Sequence, residues 1–246
     1  MNTVRDYLGA LLAAGHDRTV IRDILPHFYR RLDKVEDQDL QFVVTGVAGA
    51  LAREGRWDEV ERLFGRAQEV WPLSKDNPSS LNVAANWARY MMFQGKFADA
   101  LVKMDQAIDL AGKWQVNPDA IAAMHHYRAC ILHELGRGNE AGVSIAIAAS
   151  VEFPPSVAHL HLCTGDSGAA RRVLEEALKS DSSRGSVLMW AQKSMDRPMP
   201  SDWDRKMLVK IEELRADPSL QKEVQKFGRI LPYALNEGAG REILTP

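Results

Sequence analysis

The sequence predicts an all-α protein, an α-solenoid of stacked antiparallel helix pairs. Three observations predict it. Apolar residues recur at three- and four-residue steps, as in Trp57-Val60-Phe64-Ala67-Val70-Trp71 and Phe97-Ala100-Leu101-Met104-Ala107-Ile108, which places them on one stripe of a helix. No pair of alternating β-branched runs is joined by an Asn-Gly or Asp-Gly turn. A glycine-headed pattern repeats: Gly55, Gly95, Gly136 and Gly165 stand 40, 41 and 29 residues apart, and a period in this range is the signature of a solenoid.

The elements follow in chain order. Residues 2–14 and 18–34 read as a degenerate helix pair around Gly15, with Pro26 expected to kink the second helix. Between 41 and 180 each glycine ends a first helix, because a left-handed backbone conformation is cheap only without a Cβ. The second helix of each pair then opens: Trp57, Val60, Phe64 and Ala67 after Gly55; Phe97, Ala100, Met104 and Ala107 after Gly95; Ala141, Ile145 and Ala148 after Gly136; Ala170, Leu174 and Ala177 after Gly165. The small residues Ala100, Ala141 and Ala170 let paired helices approach closely. A single pair cannot bury both faces, so successive pairs stack. Beyond them, 186–196, 201–216 and 218–235 read as three helices. Asp202 and Asp204 lie in the first turn of the second, and Asp217-Pro218 caps the third. The tail from Asn236 is expected to fray. The organisation is therefore capping helices over 1–40, four repeats over 41–180, and capping helices with a tail over 181–246.

The four units resemble the tetratricopeptide repeat family. The best match is 41–74, with Val44, Val47, Ala48 and Leu51 on the first helix, then Gly55, Trp57, Val60, Phe64, Ala67 and Pro72. The spacing departs from the family's regular 34. Connectors such as Pro72 to Pro78 absorb the excess, and a short first helix, Ser156 to Cys163, accounts for the last interval. The resemblance implies a right-handed superhelix whose first helices line a concave groove for another polypeptide. It implies a scaffold, adaptor or chaperone-like role in protein binding and no enzyme activity.

On that reading seven residues line the groove: Asn82, Asn86 and Arg89 in the second unit, His126, Cys130 and His133 in the third, and His159 in the fourth. Asn82, Asn86 and Arg89 share a helix face, suited to a peptide backbone or a carboxylate. Some family members clamp a C-terminal carboxylate; Asn86 fits one clamp position, but Thr45, Gly49, Ala123 and Tyr127 stand at the others, so that clamp is not expected. His126, Cys130 and His133 fall at i, i+4 and i+7, and His159 and Cys163 repeat the i, i+4 step. Two neighbouring helices thus point His and Cys donors toward one channel. The alternative to peptide binding is a His/Cys-lined groove that holds a metal or small ligand, with or without catalysis. There is no Cys-x-x-Cys pair, so no metal and no cofactor are expected.

Composition narrows the partners. The 246 residues carry 31 Lys and Arg against 33 Asp and Glu, a net charge of −2, so no positive field recruits nucleic acid. No apolar run reaches the roughly 18 residues a membrane span needs. Two cysteines supply no disulfide framework, and the reducing cytoplasm is the expected compartment. Trp190, Met195, Met199 and Trp203 are expected to pack the C-terminal cap onto the last repeat; exposed instead, they would make an interface for a homo-oligomer.

Overall fold

The computed structural model describes residues 3–32, 40–74, 78–114, 116–150, 153–193 and 200–231. Among these, thirteen helices and no strand are found, and no helix is long and apolar enough to cross a membrane. Met195, Met199 and the tail from Asn236 lie outside the described residues. The described residues divide into two compact bodies, one within Met1–Val116 and Arg197–Asp202, the other within Asn117–Asp196 and Trp203–Glu237.

The turns follow from a backbone requirement. Gly15, Gly55, Gly95, Gly136 and Gly165 all have φ between +71° and +86°. At each, two N–H groups return to the helix just ended. Gly55 N–H donates to the Ala52 carbonyl and Arg56 N–H to that of Leu51, both at 2.9 Å. His16 to Leu11, Lys96 to Met91, Arg137 to Leu132 and Asp166 to His161 repeat the outer bond at 2.8–2.9 Å. This is the Schellman closure, which satisfies carbonyls that a helix end leaves without partners. Gly15 closes its pair in the same way as the four inner glycines.

The first body holds three pairs. Helix α1 spans Thr3–Ala13. Helix α2 starts as Asp17–Thr19, widens into a π turn over Val20–Ile24, and continues as Leu25–Leu32. Leu25 N–H reaches back five residues to the Val20 carbonyl. Pro26, which has no N–H to return, follows at once, and the local widening accommodates it. Helices α3 (Leu40–Arg53) and α4 (Trp57–Val70) form the second pair; α5 (Pro78–Phe93) and α6 (Phe97–Ala111) form the third. Val44, Val47, Ala48 and Leu51 meet Val60, Leu63, Phe64 and Ala67 in one buried core. The first two pairs are pinned together by Arg53, whose guanidinium forks onto the buried Asp17 carboxylate at 2.8–3.1 Å.

Glu61 on α4 joins the second pair to the third. It accepts from Trp87 Nε1 at 3.1 Å, Gln94 Nε2 at 2.9 Å and Lys96 Nζ at 2.8 Å. Burial pushes the Glu61 carboxyl up, but the hydrogen bonds from Lys96, Trp87 and Gln94 together hold it below its usual range. Trp87 stacks on Phe64, and Lys103 of α6 sits 3.9 Å from the indole centroid.

The second body opens with α7 (Pro118–Glu134), started by Asn117, whose side chain accepts from Asp119 N–H. Its partner is shorter than the repeat predicts: a 3-10 turn over Gly138–Glu140 precedes α8, Gly142–Ala148. Gly138 and Gly142 weaken helix formation where the other units place their opening turn. Ser144 anchors this short helix, facing His125 Nδ1 at 3.2 Å and accepting from Arg128 at 3.1 Å. Helix α9 (Pro154–Cys163) pairs with α10 (Ser167–Lys179). Then come α11 (Asp181–Trp190), α12 (Asp202–Arg215) and α13 (Pro218–Phe227), the last capped by Asp217 as its Asp-Pro start predicts. Helix α11 begins five residues before its expected start, because Ser180 and Asp181 leave almost no connector after α10. Buried Gln192 ties down the chain after α13: it donates to the Arg229 carbonyl at 3.2 Å and accepts from Leu231 N–H at 2.8 Å.

An ideal Cβ built on Gly55 or Gly95 meets nothing within 4 Å, so the backbone alone resists a side chain there. Gly55→Ala and Gly95→Ala should each cost about 1–2 kcal/mol of stability. Asn at the same positions should cost less, since it tolerates the left-handed region. Denaturant midpoints read the difference, and equal midpoints for wild type and alanine variants would refute it.

Candidate functional site

The chemistry-bearing residues separate into two groups, one in each body. In the first body, Asn82, Asn86 and Arg89 run down α5. Asn86 is buried and turned back on its own helix: its Nδ2 donates to the Asn82 carbonyl at 2.9 Å and to Asn82 Oδ1. Its own Oδ1 is shielded from solvent and has no hydrogen-bond partner among the described residues. Asn82 and Arg89, one turn to either side, are half-buried, and the Arg89 guanidinium lies 5.2 Å from the Tyr90 ring centroid. Behind this row the first helices α3 and α5 pack tightly. A Cβ on Gly49 would come within 3.2 Å of the Tyr90 hydroxyl.

In the second body, α7 and α9 are the first helices of consecutive pairs, and they pack side by side. The i, i+4 step on each helix points a histidine and a cysteine at the neighbour. His126 Nε2 lies 2.9 Å from His159 Nδ1, with the rings stacked at 5.1 Å. One turn further on, Cys130 and Cys163 are joined in a disulfide, their Cα atoms 5.3 Å apart. The expectation that the two cysteines supply no disulfide is therefore corrected. Both pairs are separated by 33 residues, so a single register matches His to His and Cys to Cys.

The environment of this cluster is dry. Cys130 and Cys163 are fully buried and His126 nearly so, whereas His159 is half-buried with its ring edge-on to the buried Trp203. Burial pushes the His126 imidazole well below its ordinary range, and His159 and His161 push it further the same way. His126 is thus a neutral ring at neutral pH, with a lone pair to offer.

His133 does not join the cluster. It lines a shallow depression of about 340 Å³ with His161, Thr164 and Asp166. A shared helix face groups His126, Cys130 and His133, but packing divides them: the first two meet His159 and Cys163, whereas His133 lies beside His161 and the turn at Gly165. His161, which the helix-face pattern does not select, enters as the neighbour of His133. The turn after α9 comes up against His133: a Cβ on Gly165 would lie 3.1 Å from His133 Cε1.

No protein-family model matches the chain, and no curated protein matches it. Solved structures do. One is a crystal structure of TPR-like repeats from Podosopora anserina, described as nearly identical repeats of a kinesin light chain. It superposes with a TM-score of 0.50 at 15% identity, covering 86% of this chain and 92% of that one. A variant of the same repeats superposes with a TM-score of 0.56 at 16% identity, covering 73% of this chain and 94% of its own. These likenesses establish the fold: the chain has the TPR-like architecture of stacked helix pairs.

The disulfide closes a loop of 33 residues and clamps α7 to α9. Chain entropy assigns such a crosslink roughly 3–4 kcal/mol. Reduction in metal-free buffer should lower the stability of the second body by about that amount. Denaturant unfolding of oxidised and reduced protein measures it, and coincident curves would contradict the clamp.

Proposed function

We propose that the protein is a non-catalytic binding module that takes a segment of a partner polypeptide along the first helices of its repeats. The row on α5 supports this reading most. Asn82 and Arg89 stand half-buried at the surface, on either side of the unsatisfied Asn86 Oδ1. An extended peptide offers the N–H and C=O groups that such a row pairs with. Prefolded helix pairs lose little freedom on binding, so contacts translate into affinity. The similarity to TPR-like repeats supports a protein-interaction role in general.

The buried residues have a different part in this reading. In the first body Asn86 lies behind the accessible Asn82 and Arg89; in the second body Cys130 is buried, and His133 and His159 are half-buried. Repeats over 41–180, flanked by capping helices over 1–40 and 181–246, act without nucleic acid; the Cys130–Cys163 disulfide withdraws the cysteine argument for the cytoplasm. We assign the C-terminal helices to packing rather than to a homo-oligomer contact. Trp203 is buried, and the Arg215 guanidinium lies 5.2 Å from the Trp190 ring centroid.

The test pairs capture with titration. A partner captured from native lysate is purified and titrated into wild type and an Asn82→Ala/Arg89→Ala variant. We expect the variant to bind roughly tenfold more weakly, about 1.4 kcal/mol, with unchanged helicity. Equal affinities would remove α5 from the binding face.

A further inference from the structure

We propose that His126, Cys130, His159 and Cys163 form a buried zinc site that fills when the Cys130–Cys163 disulfide is reduced. The inference stands apart from the peptide-binding reading and does not depend on it.

The donor set is the first argument. Two thiolates and two imidazoles match the tetrahedral preference of zinc, with sulfur ligands at about 2.3 Å and nitrogen at about 2.0 Å. Such a site spaces its donors roughly 3.3–3.8 Å apart. The ligand atoms of His126, Cys130 and Cys163 already lie within 4.8 Å of one another. His159 Nδ1 is 2.9 Å from His126 Nε2 but stands outside that group of three, so it supplies the fourth donor only by turning its half-buried ring toward the sulfurs. Cleavage of the disulfide lets the two sulfurs separate toward that spacing, and the His159 ring must part from His126 and approach them.

The second argument is placement. The donors come from rigid elements, two from α7 and two from α9, in one register. Burial excludes water from three of them. Zn²⁺ with two thiolates and two neutral imidazoles has no net charge, so the filled site carries little of the cost of an isolated buried ion.

The chemistry balances with a dithiol as reductant. Its two thiols transfer two electrons and two protons to the Cys130–Cys163 bond, giving two cysteine thiols and an oxidised, cyclic disulfide. Zn²⁺ then displaces the two thiol protons to solvent. The proton shared between the facing ring nitrogens leaves that edge; the ring that held it becomes protonated on its outer nitrogen, by a tautomer change without change of charge. The disulfide form has no thiolate to offer, so oxidation and metal binding exclude each other.

The test uses the full chain, without a polyhistidine tag, and Co²⁺ as a spectroscopic probe. Reduced, metal-free protein should take one equivalent of Co²⁺, with the intense visible bands of a tetrahedral site and thiolate-to-metal charge transfer in the near ultraviolet. Zn²⁺ should displace it. Oxidised protein and a Cys130→Ser/Cys163→Ser variant should show neither feature. His159→Ala removes only a half-buried ring and should weaken zinc binding by more than roughly tenfold. If reduction unfolds the second body, added zinc should restore its helicity. The proposal is overturned if the reduced wild type takes no stoichiometric Co²⁺, if the spectrum is octahedral, if the double serine variant retains the metal, or if zinc fails to restore lost helicity.

Discussion

A residue with positive φ must stand at every turn between the helices of a pair, and each is a glycine: Gly15, Gly55, Gly95, Gly136 and Gly165. The requirement comes from the hydrogen bonds. A helix that ends under a packed neighbour must satisfy its last carbonyls within a few residues, and the Schellman closure does so only if one residue turns left-handed. The reversal that results sets the second helix against the first. Hydrophobic burial then supplies the stability, but the turns decide which stripes face each other.

The contacts between pairs inherit that geometry. In the first body, Arg53 at the end of α3 reaches Asp17 at the start of α2, and Glu61 gathers Trp87, Gln94 and Lys96. In the second body, α7 and α9 lie in register by 33 residues, so like meets like: histidine on histidine, cysteine on cysteine. A shift of one residue on either helix would turn one of these side chains away. The dry cluster is thus a consequence of stacking, just as the Glu61 hub is.

Much of this is legible in the sequence. The four inner glycines mark their turns, Asp217-Pro218 marks a helix start, and the alanines at closely packed positions mark the pairing faces. The i, i+4 step repeated at His126/Cys130 and His159/Cys163 already points to a meeting of donors. What helical periodicity does not supply is rotation: it groups Asn82, Asn86 and Arg89 on one face without saying that Asn86 points inward. It groups His133 with His126 for the same reason. Nor does composition foresee the disulfide, because two cysteines carry no pairing information until a register brings their helices together. The shortness of α8 is hidden because Gly138 and Gly142 oppose a repeat pattern that Ala141, Ile145 and Ala148 otherwise satisfy.

The claim that glycine-closed turns organise the chain has a direct readout in amide hydrogen exchange. The N–H groups of Arg56, Lys96, Arg137 and Asp166, each one residue past its glycine, are bonded back into the preceding helix. Site-resolved exchange should find them slowed by orders of magnitude relative to an open chain, alongside the helix interiors. Exchange at open-chain rates at these four amides, with the helices still protected, would contradict the account.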